Sequence, residues 1–195
     1  MNQPAAAPVA LVTGAARRVG AEIARHLHAA GARVVVTGPN GTREVAVEDI
    51  PAGPGRTKLQ PGEMIEAVLL PPRGTQGGDA YLRFIPRTEM DIAVVGVGIS
   101  LTLDGDKVVS ARVALGAVAP TVLLVDAAAK AIIGTTLDEA ALAALATAVR
   151  AAATPISDKR GTAEFRKEVV GVLAGRAARI AYERAAENRA KGAAK

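Results

Sequence analysis

Gly14, Arg17, Arg18 and Gly20 are the first residues of this chain whose types and spacing could do chemistry. They lie in Thr13-Gly14-Ala15-Ala16-Arg17-Arg18-Val19-Gly20, a glycine-flanked turn that follows an apolar run at 9–12. Val19, Ile23 and Leu27 then recur at four-residue spacing, the stripe of an amphipathic helix, and 33–36 reads as a second strand. Strand, glycine turn, helix and strand form the unit that sets backbone N–H groups and a helix N-terminus against a phosphate. Other residue types exclude chemistry. The chain has no cysteine, so disulfides, thiolate metal sites and cysteine nucleophiles are ruled out. His26 and His28 sit two apart on one helix, point to different faces and cannot form an i,i+4 metal pair.

The elements that must position such groups are bounded by composition. A chain of 195 residues can form one domain or two small ones with a real core. Hydrophobic residues make up 50% and aromatics only 2%, so the core must be built from Ala, Val, Leu and Ile. Net charge is +5, which permits an acidic partner. The basic residues are scattered, however, and glutamates interleave with them near the C-terminus (Arg179, Glu183, Arg184, Glu187, Arg189) without aromatic platforms. This predicts a solvated helix face and a basic tail over 188–195, with no nucleic-acid partner. The longest apolar run, 92–103, is too short and too rich in Gly, Ser and Thr to cross a membrane. The N-terminus lacks a charged segment followed by an apolar one. A cytoplasmic protein without membrane partners is expected.

Along the chain, Asn40-Gly41 is a tight-turn signal, because both residues tolerate positive φ. The strand at 33–36 is therefore expected to return as a hairpin rather than cross over through a helix. Prolines and glycines make 51–62 a loop, and 64–70, 80–85, 92–103 and 108–118 read as strands. In the longest, Val95, Val97, Ile99, Leu101 and Leu103 share one face and Gly96 and Gly98 lie on the other, where small residues suit close helix packing. Helices follow at 126–133, after Thr136 with its capping-box partner Glu139, and after a cap at Ser157 or Thr162. The last is expected to turn Phe165, Val169, Val172, Leu173 and Ile180 inward. The fold class predicted is α+β: a βαβ nucleotide-binding-like unit over 1–38, then an antiparallel sheet with a C-terminal helical layer over 39–187.

The 13–20 turn resembles the cofactor loop of short-chain dehydrogenases/reductases, Thr-Gly-x-x-x-Gly-x-Gly, with Arg18 in place of the middle glycine. Leu11-Val12-Thr13-Gly14-Ala15-Ala16-Arg17-Arg18 is most similar to the pteridine reductase branch. The resemblance implies that Gly14 and Gly20 shape the turn and that Arg17 and Arg18 face the 2′-phosphate of NADP. It also implies a Tyr-x-x-x-Lys pair, which is absent: Tyr81 and Tyr182 are followed four residues on by Ile85 and Ala186. Nothing then lowers a tyrosine pKa for proton transfer.

From about residue 31 to 186 the chain resembles a different family. Gly38-Pro39-Asn40-Gly41-Thr42-Arg43, Pro61-Gly62-Glu63-Met64-Ile65 and Arg87-Thr88-Glu89-Met90-Asp91-Ile92 are phrases of the FAD-binding medium subunit of aerobic carbon monoxide dehydrogenase and related molybdenum hydroxylases, including xanthine dehydrogenases. Leu115-Gly116-Ala117-Val118-Ala119-Pro120 and Pro155-Ile156-Ser157-Asp158-Lys159-Arg160-Gly161 follow in that family's order. The resemblance implies FAD as cofactor and molybdenum-binding and iron–sulfur subunits as partners. Two glycine-rich loops that hold FAD in that family, of Ala-Gly-Gly and Thr-Ile-Gly-Gly type, are missing here. Arg87 and Asp91 are the residues it would place nearest the flavin-side cleft; a pair that merely steadies the strand start is the plain alternative.

Together these readings describe a chimera-like chain. The expected function is the C-terminal module of a molybdenum-hydroxylase FAD subunit, an electron-transfer component that is inactive alone, with no catalytic residues and no metal ligands of its own. An NADP-dependent short-chain reductase remnant and a structural fragment without ligand stay open as alternatives.

Overall fold

The computed structural model describes residues 9–10, 32–70, 74–87 and 92–193. The chain separates into two compact units, residues 1–73 and 74–195. The expected boundary near residue 38 instead falls inside a hairpin whose strands pair across it, so the division moves to the next break in pairing.

In the first unit, β1 (Val9–Ala10), β2 (Arg33–Gly38), β3 (Gly41–Ala46) and β6 (Met64–Leu69) form an antiparallel sheet in the order β1-β6-β2-β3. Val34 and Val36 alternate inward and pack with Ala32, Val47, Ile50 and Val68. The hairpin expected here is present, but its two-residue turn is Pro39-Asn40, one residue earlier than Asn40-Gly41, and Gly41 opens β3 at φ 105°, a conformation open to glycine. The expected loop at 51–62 contains a small hairpin, β4 (Pro51–Gly53) with β5 (Arg56–Thr57). The expected βαβ unit is not seen as such. Its turn and helix lie outside the described residues, and its two strands are not neighbours: β3 and β6 occupy both edges of β2, so β1 pairs with β6.

In the second unit, β7 (Gly77–Phe84), β8 (Val95–Asp104), β9 (Lys107–Gly116) and β10 (Leu123–Leu124) form an antiparallel sheet in the order β10-β9-β8-β7. The predicted apolar face of β8 is fully buried, from Val95 to Leu103. Register puts Gly78, Ala80, Leu82 and Phe84 beside it on β7, and Val113 and Leu115 on β9. Helices α1 (Asp126–Ile132), α2 (Glu139–Ala152) and α3 (Ala163–Ala193) follow; α3 lies on β7 and β8, α1 on β9, and α2 packs against both other helices.

Four sequence expectations change here. Of the residues expected inward on α3, Leu173 is buried and Val169 and Ile180 pack partly buried against the core, but Phe165 and Val172 are exposed, and the rest of the inward stripe is Val170, Ala174, Ala177, Ala178, Ala181 and Ala185. Helix backbone comes so close to Gly78 that only small residues fit between. Asp138, not Thr136, caps α2: its carboxylate accepts the Ala141 N–H at 2.8 Å. Gly96 is small for Tyr81, whose hydroxyl would lie 2.7 Å from a Cβ there, and not for a helix. The basic tail expected from 188 continues α3 to Ala193, with Asn188 donating to the Gly77 carbonyl and Arg189 paired with Asp106.

Candidate functional site

One end of the second sheet gathers the groups with chemical potential. There β7 ends at Phe84 and runs into Ile85, Pro86 and Arg87, and the chain re-enters the sheet through Val94, whose N–H donates to the Phe84 carbonyl. The rung Gly96–Gly116 is the last between β8 and β9 on this side, and β9 leaves through Ala117. Ala117 is held at φ 62°, a left-handed conformation that costs an alanine about 1 kcal/mol. The loop from α2 arrives at the same end, the Thr154 N–H donating to Val118. From there Ser157 accepts the Ala163 N–H and Thr162 the Phe165 N–H, so both residues expected as caps serve the start of α3.

Arg166, in the first turns of α3, joins these segments. It is only 4% exposed. Its Nη1 donates to the Val94 carbonyl at 2.9 Å and faces the Ala117 carbonyl at 3.4 Å; its Nη2 donates to Asp158 Oδ1 at 2.6 Å. Asp158 also accepts the Arg160 N–H at 2.8 Å. That backbone donor, then the Arg166 guanidinium, holds the Asp158 carboxyl below the usual carboxylate range. Outside this buried knot, apolar side chains are exposed among charged ones such as Arg87, Lys159 and Glu164. Ile92 is 65% exposed, Ile156 73% and Phe165 43%, the last standing edge-on to Phe84 with ring centroids 5.9 Å apart.

Of the six residues singled out from sequence, the structure describes Arg87 alone. It is exposed on the turn after β7, at this same end of the sheet. Asp91, Gly14, Arg17, Arg18 and Gly20 lie outside the described residues. Arg166 and Asp158 were not singled out. The available signal was an arginine at the head of the Val170, Ala174, Ala177, Ala181 stripe, where an apolar residue would continue the pattern.

Several donors at this end are already engaged: the Ala163 and Phe165 N–H groups by Ser157 and Thr162, and Nη1 and Nη2 of Arg166 by Val94 and Asp158. The described residues here suit the edge of a planar apolar ring and not a pyrophosphate, which needs several free N–H donors. No group of three or more His, Asp or Glu able to hold a metal occurs among the described residues, and no described helix is long and apolar enough to cross a membrane. In the first unit, Arg43 grips Glu63 through two bonds of 2.9 Å beside the Pro39–Asn40 turn. With the Gln60 N–H added, this lowers the Glu63 pKa to about 2.

Comparisons with known proteins bear on both units. The profile described as CO dehydrogenase flavoprotein C-terminal domain matches residues 80–181, and that described as FAD binding domain in molybdopterin dehydrogenase matches residues 12–73. The second match takes in residues 14–20. The carbon monoxide dehydrogenase medium chain of Afipia carboxidovorans is 38% identical over 155 residues, which cover 80% of this chain and 54% of that one. The xanthine dehydrogenase FAD-binding subunit of Escherichia coli is 28% identical over 143 residues, covering 73% of this chain and 49% of that one. Among solved structures, a reconstituted CO dehydrogenase from Oligotropha carboxidovorans superposes with a TM-score of 0.79 at 36% identity, covering 83% of this chain and 56% of that one. The chain thus spans about half the length of the relatives it matches.

Proposed function

The chain belongs to the CO dehydrogenase flavoprotein C-terminal domain family, and on that premise we propose that it serves as the C-terminal module of a molybdenum-hydroxylase FAD subunit. The observation that carries the reading is the order of the two matches in one chain, the FAD-binding profile over 12–73 and the C-terminal profile over 80–181. The module stands beside the flavin rather than holding it. Its contact edge is the end of the second sheet where Arg87 emerges, with Asp91 in the same connection and Ile92, Ile156 and Phe165 supplying apolar surface. FAD, when bound, supplies the redox chemistry. This chain's part is to cover the ring and exclude water, and it is inactive alone. Molybdenum-binding and iron–sulfur subunits are its partners in an electron-transfer assembly.

The matches name FAD, and the 12–73 match includes Gly14, Arg17, Arg18 and Gly20, so the NADP reading of that turn and the short-chain reductase part of the chain are not carried forward. Titration of the purified chain tests this. FAD should bind weakly and be lost on gel filtration, and NADPH should neither shift the melting temperature nor be consumed with pteridines or quinones. Stoichiometric flavin surviving gel filtration would overturn the proposal that the module only covers the ring. NADPH turnover proportional to protein would reinstate the reductase.

A further inference from the structure

Resting on the reading of this end of the second sheet as the flavin-facing edge, we infer that Arg166 is a positioning residue for it. With Asp158 it latches the entry to β8, the exit of β9 and the 153–162 loop into one surface. A single side chain reaches all three segments, which are far apart in sequence: it bonds Val94, faces Ala117 and pairs with Asp158. A guanidinium has the rigid fork to address a carbonyl and a carboxylate at once, which no other side chain offers.

Stability alone does not account for it. Arg166 heads the buried Val170, Ala174, Ala177, Ala181 stripe, where an apolar residue would bury without desolvating a charge. Its carboxylate partner is partly solvated, and its Nε is buried with no hydrogen-bond partner among the described residues. What the arrangement delivers is alignment. Asp158 shares one oxygen between Arg166 and the Arg160 N–H, which sets the 158–161 turn. Phe165, the residue before the latch, is thereby presented against Phe84 with part of its ring exposed. Arg166 is too buried to touch a ligand; it acts through the surface it aligns.

Hydrogen exchange by mass spectrometry on the full chain tests the latch, comparing wild type with Arg166→Met, Arg166→Lys and Asp158→Asn. Arg166→Met should speed exchange about tenfold together at 93–97, 116–118 and 155–161, the effect of losing hydrogen bonds to a charged group. Exchange over 139–152 in α2 should stay unchanged. In Arg166→Lys a point-charge ammonium can pair with Asp158 but cannot also span to Val94, so 155–161 should recover protection and 93–97 should not. A bulk packing role would not split the rescue in that way. Exchange rising uniformly through the second unit, or only at 155–161, would overturn the inference. Should Arg166→Met not fold, Arg166→Lys and Asp158→Asn carry the same comparison, Asp158→Asn being expected to loosen 155–161 and 93–97 together. No flavin is needed, so the latch and the flavin reading stand or fall separately.

Discussion

Replacing Gly78 of β7 by alanine should damage the second unit more than adding one methyl group at a glycine of α3. A Cβ at Gly78 would lie 2.1 Å from the Ala181 carbonyl oxygen, 2.5 Å from the Ala185 nitrogen and 2.9 Å from the Ala185 Cβ. Two of these are backbone atoms, so no rotamer change relieves them and α3 must retreat by roughly an ångström or more. It is tied down at and just beyond the crossing. Arg184 donates to the Asp79 carbonyl at 2.8 Å, Asn188 to Gly77 at 2.9 Å and Tyr182 to Asp106 at 2.6 Å. Retreat stretches these bonds and opens space along Ala177, Ala178, Ala181 and Ala185. Overpacking costs about 3 kcal/mol at the upper end of its usual range, and the three weakened hydrogen bonds add roughly 1 kcal/mol in all, giving about 4 kcal/mol. For a unit of this size that is a melting temperature lower by roughly 15 °C. The control is Gly175→Ala on the same helix, where a Cβ meets nothing within 4 Å. That change should be neutral or stabilise by about 0.5–1 kcal/mol. Circular dichroism melts and urea titrations of both variants decide the matter. A Gly78→Ala protein within about 1 kcal/mol of wild type would refute the close approach of α3 to β7.

Two further outcomes are expected. The Glu63 pKa is depressed from 4.5 to about 2, so its contribution is fully present above 4.5 and lost as pH falls through 2. Exchange protection of the β2–β3 amides should therefore be higher in wild type than in Glu63→Gln at neutral pH, with the gap closing between those two values; parallel pH curves would contradict the assignment. Ala117→Gly removes the left-handed strain at φ 62° and should raise stability by up to about 1 kcal/mol, readable as a urea midpoint shift at constant slope.

The strands and turns of this chain were legible where local chemistry is decisive. Period-two alternation marked the buried face of β8, apolar runs marked β2, β6 and β9, and Asn40-Gly41 marked the β2–β3 hairpin to within one residue. Helix orientation was harder to read. Bulk suggested Phe165 and Val172 inward, but the deciding quantity was how near α3 comes to Gly78 on β7, a distance between residues a hundred positions apart, and it selected the alanine stripe. The pairing of β6 between β1 and β2 was likewise a long-range outcome, invisible to a reading in which consecutive strands are neighbours. At the candidate site, Arg87 stood out because its phrase resembles a known family. Arg166 did not, because a lone arginine in a helix reads as solvated unless its place on the buried stripe is noticed.

The central claim is that residues 74–195 form the module that completes a flavin subunit. The most direct measurement is an exchange of parts: this segment replaces the matching region of the Afipia carboxidovorans medium chain, the hybrid is expressed with that enzyme's other subunits, and flavin per assembled complex is measured. The proposed reading predicts a complex that assembles and keeps FAD close to one per medium chain, with the Gly78→Ala hybrid failing to do so. A well-folded hybrid that assembles without flavin, or does not assemble at all, would contradict it.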